Sequence, residues 1–434
     1  MDDLKKRFVD LGVIPADIMI PEKGVDLEKW AVVACDQYTS ERDYWEDASA
    51  YVGEAPSTLR LIFPECYLGD SDGKQRIENI NKTMKEYVDK GIFRTYSDCF
   101  FLIRRTCGNA SRLGLMATLD LENYSWEKTS RTPIRATEGT ILSRIPPRKE
   151  IRKDAPLEIP HIMVLISDAE RSVIEKMYEK HDRLEKVYDT DLMKNGGHVE
   201  AWLVNSDEDK NTIATAFEKL RAGLDPENPL LFAMGDGNHS FATAKSCWED
   251  IKKTLSPEEF KTHPARYCLV ELENIFDPGL VFEPIHRVFF NVPEDVFLEE
   301  LRKTADSIEF ETVKCRNCIA ERLRDQSTQG FGYCTADKHV YVRLRNPKAF
   351  IAAGTLQKVI DALIEKGYEV DYIHGADVTD KLGQEKGNIG LFLPAIDKTT
   401  FFDTIVSDGA LPRKTFSMGE ANEKRYYMEA RRIK

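Results

Sequence analysis

Within the stretch LLFAMGDGNHSFATAK, residues 230–245, six consecutive positions carry an unusual concentration of chemistry: Gly235, Asp236, Gly237, Asn238, His239 and Ser240. Glycines let a backbone come close to an anion and adopt conformations that a Cβ forbids. A helix N-terminus leaves N–H groups unpaired and carries partial positive charge, so it attracts phosphate. Asn238 and Ser240 can bind phosphate or simply cap a helix. His239 can donate to a phosphoryl oxygen or shuttle a proton near neutral pH. Asp236 is the odd member, because a carboxylate repels phosphate unless it holds a metal or takes a proton from a nucleophile. Thr243 and Lys245 extend the same surface along the next turn. The ordinary reading of such a stretch is a glycine turn with a capped helix. Acid, amide, imidazole and hydroxyl together favour chemistry. The pattern G-x-G-x-x-S lacks the third glycine of a dinucleotide fingerprint, and no G-x-x-x-x-G-K-[ST] occurs anywhere in the chain.

Other stretches offer partners for this turn. CDQYTSERDYW places Asp36 after an apolar run and Glu41 at an expected helix start, where a carboxylate could accept a proton from a substrate hydroxyl or could merely cap the helix. RATEGTILSRIPPRKEIR is a basic island in an acidic chain, and its Arg135 and Arg144 are candidates for holding a nucleotide or phosphoserine. His198 in NGGHVEAW, and His286 with Arg287 in FEPIHR, are further candidate phosphate contacts, each with a structural histidine as the plainer reading. His161 opens a strand and reads as structural. RKTFSMGEANEKRYY combines Arg413, Lys414, Lys424 and Arg425, more simply a charged surface helix than an anion site. Cys315 and Cys318 have redox or half-metal-site spacing, but no second pair completes four ligands, so the pair reads as incidental. There is no H-E-x-x-H and no G-x-S-x-G.

The turn needs a strand before it and a helix after it. LLFAM is a short buried-strand candidate, and Phe241, Ala244, Trp248, Ile251 and Leu255 recur at helical spacing. SPEE, residues 256–259, then starts a new helix with proline in its first turn. Elsewhere WAVVAC, FRTYSDCFFLIRRT, SRLGLMATLDL, HIMVLIS, GGHVEAWLV, HVYVRLR and NIGLFLPAI read as strands. ERSVIEKMYEKHDRLEKVYDTDLM, PEDVFLEELRKTADSI and TLQKVIDALIEKGYEV read as helices. Ser417 and Glu420 have capping-box spacing, which predicts a helix beginning there. Strands and helices alternate without a strict βαβ rhythm, which favours α+β with mixed sheets and packed helices. Three parts are expected: residues 1–130 as an N-terminal α+β part contributing to the site, 131–290 as the core with the turn, and 291–434 as a C-terminal α+β part.

At 434 residues, 42% hydrophobic and 31% charged, the chain is a globular protein with room for two or three domains. Its apolar runs fall far short of a membrane span, so no membrane partner and a cytoplasmic location are expected. Nine cysteines suit reduced thiols better than a disulfide framework. A net charge of −13 repels polyphosphate backbones, which argues against nucleic acid.

The turn resembles the signature of the domain of unknown function 1015 family, an uncharacterised bacterial and archaeal family whose members often carry Asp-Gly-His-His-Arg here. KWAVVACDQYTSERDYW, PSTLRLIFPECYL, RATEGTILSRIPPR, HPARYCLVELENIFDPGLVFEPIHR and RKTFSMGEANEKRYYMEAR resemble that family's acidic branch, so the likeness spans nearly the whole chain. The turn is also similar to one in the ParB/sulfiredoxin-like superfamily, which includes free-serine kinases. That resemblance implies a ParB/sulfiredoxin-like core elaborated by insertions and phosphoryl transfer between a nucleotide, ADP or ATP, and serine or phosphoserine. Asp236 would be base or Mg²⁺ ligand, His239 and the turn amides would stabilise phosphoryl oxygens, and Asp36 or Glu41 would position the hydroxyl. Asn238 and Ser240 stand where His and Arg are usual, which removes a bidentate phosphate donor. Two rivals follow: a nucleotide or phosphometabolite sensor without turnover, and a metal-dependent hydrolase using Asp236, His239 and His198. A homodimer is admitted by the sequence but not required.

Overall fold

The computed structural model describes residues 3–434, and the chain forms two compact units, Met1–Val281 with Gly419–Lys434, and Phe282–Met418. The expected break at residue 130 is therefore absent: it falls inside the first unit's sheet, and residues 419–434 return to that unit rather than staying with the C-terminal part.

In the first unit the strands are β1 (Val13–Ile14), β2 (Ala16–Pro21), β3 (Phe93–Cys107), β4 (Ala110–Asp120), β5 (Tyr124–Ser125), β6 (Ile134–Arg135), β7 (Leu157–Glu158), β8 (Met163–Ile166), β9 (Lys186–Leu192), β10 (Gly197–Val204), β11 (Phe232–Asp236) and β12 (Tyr267–Asn274). An 11-stranded sheet runs in the order β5-β6-β11-β8-β12-β4-β3-β10-β9, with β1 on β4 and β2 on β3. β11 is parallel to β6 and antiparallel to β8, so the sheet is mixed, and with the surrounding helices the fold is α+β as expected.

Period-two alternation fills both faces of this sheet. Phe100, Leu102, Leu115, Ala117, Val270 and Leu272 point into one core with Phe217, Phe241 and Trp248. Phe101, Ile103, Met116 and Leu269 point into the other with Trp30, Trp45 and Tyr427. Buried on both sides, the central strands cannot show the polar alternation of an exposed sheet.

Three expected elements differ. WAVVAC is not a strand: its Trp30 ends a one-turn helix, Leu27–Trp30, and within the rest only Val33 forms a bridge, to Tyr426. The helix expected to run to residue 193 stops at Tyr178, and its second half is β9, turned onto β10 through Lys194 and Asn195, both with positive φ. The helix expected from Ser417 is a single 3₁₀ turn, Ala421–Glu423, with a capping box between Glu420 and Glu423. Beyond it, residues 425–431 are all buried, which no helix at a surface can achieve, and the backbone is extended.

That extended segment is held by charges. Arg105 and Arg112, cross-strand partners on β3 and β4, donate to the carbonyls of Asn422 (3.0 Å) and Glu423 (2.9 Å). Arg425 donates to Glu271 at 2.6 Å and to Glu429, all three side chains being buried. Arg431 donates to Glu158 at 2.7 Å, which also accepts from Arg152 at 2.6 Å and from the Leu269 N–H at 2.9 Å.

The second unit contains β13 (Phe282–Pro284), β14 (His286–Phe290), β15 (Ala305–Val313), β16 (Gly330–Thr335), β17 (Lys338–Pro347), β18 (Glu369–Ile373), β19 (Ile389–Phe392) and β20 (Phe416–Met418). A 6-stranded sheet in the order β15-β17-β16-β19-β14-β18 carries the helix Ala352–Glu365 on its core face. β13 pairs with β20, so the two ends of this unit meet. No helix among the described residues is long and apolar enough to cross a membrane.

Arg425→Ala leaves two buried carboxylates without their counter-charge and should cost about 3–5 kcal/mol. A urea titration of the full chain measures it; a loss under about 1 kcal/mol would show that the tail is held by other contacts.

Candidate functional site

β11 ends in the turn and runs directly into the helix Asn238–Ile251, as the sequence pattern requires. The β11–β8 register shifts between Met234 and Asp236, leaving Gly235 as a bulge that re-aims the next side chain. Gly237 caps the helix at φ +78°, and a Cβ there would stand 3.1 Å from the Ile162 Cα, so glycine is required both for conformation and for space. Residues 235–240 are half-buried apart from Gly237, and are not packed away beneath other segments.

Asp236 faces a lysine. Its Oδ2 lies 3.3 Å from Lys424 Nζ and its Oδ1 accepts the Gly237 N–H at 2.9 Å. Burial alone would raise the Asp236 carboxyl, but the Lys424 ammonium, the His161 ring and the Gly237 N–H outweigh it and hold the group below the usual carboxylate range. Such a carboxylate is a weak base.

His161, at the foot of β8, links the turn to the rest of the unit. Its Nδ1 is 3.0 Å from Tyr427 OH, its Nε2 is 2.9 Å from Ser240 Oγ and 3.9 Å from Asp36 Oδ2. The Cys35 N–H donates to the Tyr427 oxygen at 3.0 Å, which leaves the phenolic hydrogen for Nδ1. The Nε2–H is thereby assigned to the side of Ser240 and Asp36. Asp36 Oδ1 accepts from Gln37 at 3.0 Å. Glu65, bonded to Arg148, completes the rim, and burial followed by the neighbouring Asp36 charge raises its carboxyl against the pull of that arginine. Glu65, Arg148, His161, Ser240, Thr243, Tyr427 and Cys35 line one cavity of about 140 Å³, floored by apolar side chains such as Phe63, Met84 and Leu269. It is sized for a small metabolite, below the roughly 300–1,000 Å³ of drug-sized sites.

Most of the remaining expected side chains, Thr243 on the cavity wall among them, are engaged with other partners. Asn238 accepts the Thr137 N–H at 3.3 Å and His239 Nε2 the Ile141 N–H at 3.3 Å, so both hold the basic island against the helix. Thr243 Oγ donates to the His239 carbonyl at 2.7 Å. Arg135 is buried in β6 and spent on the Thr132 and Pro229 carbonyls and Asn228. Arg144 is exposed in a one-turn 3₁₀ helix. Lys245 pairs with Glu249 at 2.8 Å and Glu122 at 3.6 Å, away from any anion site. Glu41 is exposed and makes no cap bond. His198 lies on β10, five positions from β11 in the sheet and so roughly 24 Å away at ~4.8 Å per strand, bound by Asp189 and Asp191. The hydrolase triad of Asp236, His239 and His198 is not assembled. His286 and Arg287 belong to the second unit: His286 Nδ1 accepts the Leu393 N–H at 3.2 Å, and the buried Arg287 lies over Tyr372 and bonds the Ile285 and His286 carbonyls.

Asp236 was expected to ligate Mg²⁺. Both its oxygens are engaged, one of them by an ammonium, and among the described residues no cluster of three ligating side chains includes it. These residues do not fit a direct Mg²⁺ site; Lys424 supplies the positive charge instead. Lys424, read from sequence as part of a charged surface helix, His161, read as structural, and Tyr427, not singled out, are the functional candidates that sequence reasoning missed; the cluster of basic residues around Lys424 was the one signal that pointed to them.

The model of a family described as "Protein of unknown function (DUF1015)" matches residues 19–363. No curated protein matches the chain. Among solved structures, a free serine kinase mutant in complex with ADP is similar at 10% identity and TM-score 0.39, over 72% of this chain and 91% of that one. A free serine kinase in complex with AMP gives 10% and 0.37, over 72% and 90%. A conserved hypothetical protein from Pyrococcus furiosus gives 11% and 0.34, over 72% and 90%.

Two pH effects follow. Asp236 has a depressed folded pKa, so its pairing stabilises above the unfolded value near 3.8 and is lost as pH falls through the folded value. Lys424→Met should therefore be destabilised at pH 7 and converge on wild type only as pH falls below 3.8 through the depressed folded value; a gap independent of pH would remove the ion pair as its cause. Burial, with Arg287 and His374, pushes the His286 imidazole down to about 4 from 6.5. The unfolded chain takes up that proton first, so the second unit should lose about 3 kcal/mol as pH falls from 6.5 to 4. His286→Gln should flatten that slope in urea titrations.

Proposed function

The chain belongs to the DUF1015 family of proteins of unknown function, and we propose that it is a phosphotransferase moving a phosphoryl group between a nucleotide and the hydroxyl of serine. One observation carries the reading: a helix N-terminus with a left-handed glycine, an Asp236–Lys424 pair and a His161–Asp36 contact converge beside a small cavity.

The parts divide by charge. The first-turn N–H groups of Asn238 and Ser240, which a helix leaves without intrahelical partners, and the Lys424 ammonium receive phosphoryl oxygens. Asp236 fixes Lys424 rather than acting as base, since its carboxyl is held too acidic to take a proton readily. Asp36, half-exposed and facing His161, orients the serine hydroxyl and accepts its proton as the phosphoryl group arrives. In the direction from phosphoserine the same groups act in reverse. The cavity takes the amino acid, and the nucleotide, ATP or ADP, approaches the helix end.

A non-catalytic sensor is the second reading, favoured by Ser240, which stands in the arginine position of the commoner motif and is bonded to His161. Phosphorus NMR separates the two. Serine with ATP, or phosphoserine with ADP, should turn over in wild type. Lys424→Met should lose about 10²–10³ in kcat/KM and Asp36→Asn about 10²–10⁴, with nucleotide still raising the Tm of Asp36→Asn. Thermal protection without product in wild type establishes the sensor.

A further inference from the structure

Cys315 and Cys318 lie on the second unit, far in sequence from every residue of the candidate site, and their arrangement gives them a use. Cys315 is the N-cap of the helix Arg316–Leu323 and Cys318 sits in its first turn. Their sulfurs are 3.5 Å apart, and both residues are half-exposed. The helix is fixed beneath them: Ile319 is buried against Cys334 and Phe392 on the sheet. The intervening Arg316 is tied to Asp377, so it does not cover the thiols.

We propose that Cys315 and Cys318 form a dithiol centre that exchanges with low-molecular-weight disulfides, Cys315 attacking and Cys318 resolving. The geometry matches the chemistry. Two thiols one helical turn apart, already near contact, close a disulfide with little backbone movement. Cys315 stands at a helix N-terminus, whose partial positive charge favours its thiolate. In agreement, the neighbouring Cys318 N–H and thiol, and then the Asn317 N–H, lower the Cys315 thiol below its ordinary value. Burial instead raises the thiols of Cys35, Cys66, Cys99, Cys247, Cys268 and Cys334, so the attacking thiolate is selected. In the first step Cys315 thiolate attacks one sulfur of a disulfide RSSR. The S–S bond breaks, one RS⁻ leaves with its electron pair and takes up the proton that Cys315 gave to water, and a mixed disulfide remains. Cys318, losing its proton, then attacks Cys315 Sγ and expels the second RS⁻. Two protein thiols are oxidised and one small disulfide is reduced to two thiols.

The test uses the reduced full-length protein and oxidised glutathione, with acid quenching, alkylation of remaining thiols and peptide mass spectrometry. Wild type should form the Cys315–Cys318 link before the other half-exposed cysteines, Cys35 and Cys107, react. Cys318→Ser should stop with one glutathione on Cys315. Cys315→Ser should slow capture by the remaining thiol severalfold, because the thiol whose thiolate the helix start favours is gone. Unfolding in guanidinium should erase the selectivity. Glutathione accumulating on wild-type Cys315 without the internal link, or Cys315 reacting no faster than Cys107, overturns the proposal; both readings use wild type alone and do not depend on either variant folding.

Discussion

The candidate site depends on a set of buried arginines that pin residues 419–434 into the first unit. Arg425 lies between Glu271 and Glu429, and Arg105 and Arg112 reach up from adjacent strands to two successive tail carbonyls. Taking such charges out of water is costly, and only nearly complete pairing offsets it. What these pairs give is position: an extended segment that cannot slide without leaving a charge unpaired. Lys424 and Tyr427 flank Arg425, so fixing the arginine places one beside Asp236 and the other on His161. The backbone supports the same register, with Tyr427 N–H on the Val32 carbonyl at 2.8 Å and Ala34 N–H on the Arg425 carbonyl at 2.9 Å.

Local signals were legible where the structure is local. The β11 to helix turn, the capping box at Ser256 and Glu259, and the long strands β3 and β4 all follow from periodicity and turn chemistry within a dozen residues. Misreadings occur where distant pairing decides. Residues 186–192 have helix-forming lysine and acidic residues on either side, yet Val187, Tyr188 and Leu192 are wanted by the core and β10 offers a strand to pair with. The capping box expected of Ser417 and Glu420 is replaced by one between Glu420 and Glu423: Ser417 lies on β20, and the box closes a single 3₁₀ turn before buried tyrosines and arginines take over.

The site was legible in kind and only partly in identity. Gly237, Asp236 and Ser240 stand where the motif puts them, and Asp36 does approach the turn through His161. The arginines expected to bind phosphate are largely consumed by the protein itself: a five-donor guanidinium is well suited to gathering orphan carbonyls, as Arg135 does. The cation that does face the turn is Lys424, nearly two hundred residues downstream, and no spacing rule connects the two.

The pairing of β13 with β20 has a kinetic consequence. Residues 282–418 separate the strands that build the first unit from the segment that completes it, and closing so long a loop from a disordered chain costs about 3 kcal/mol more than closing a short one. Because Phe282 and Met418 are cross-strand neighbours, the second unit shortens that loop to almost nothing once it has folded. Assembly therefore has a natural order: the inserted unit matures first, and its clasped ends then deliver the tail to an almost finished sheet.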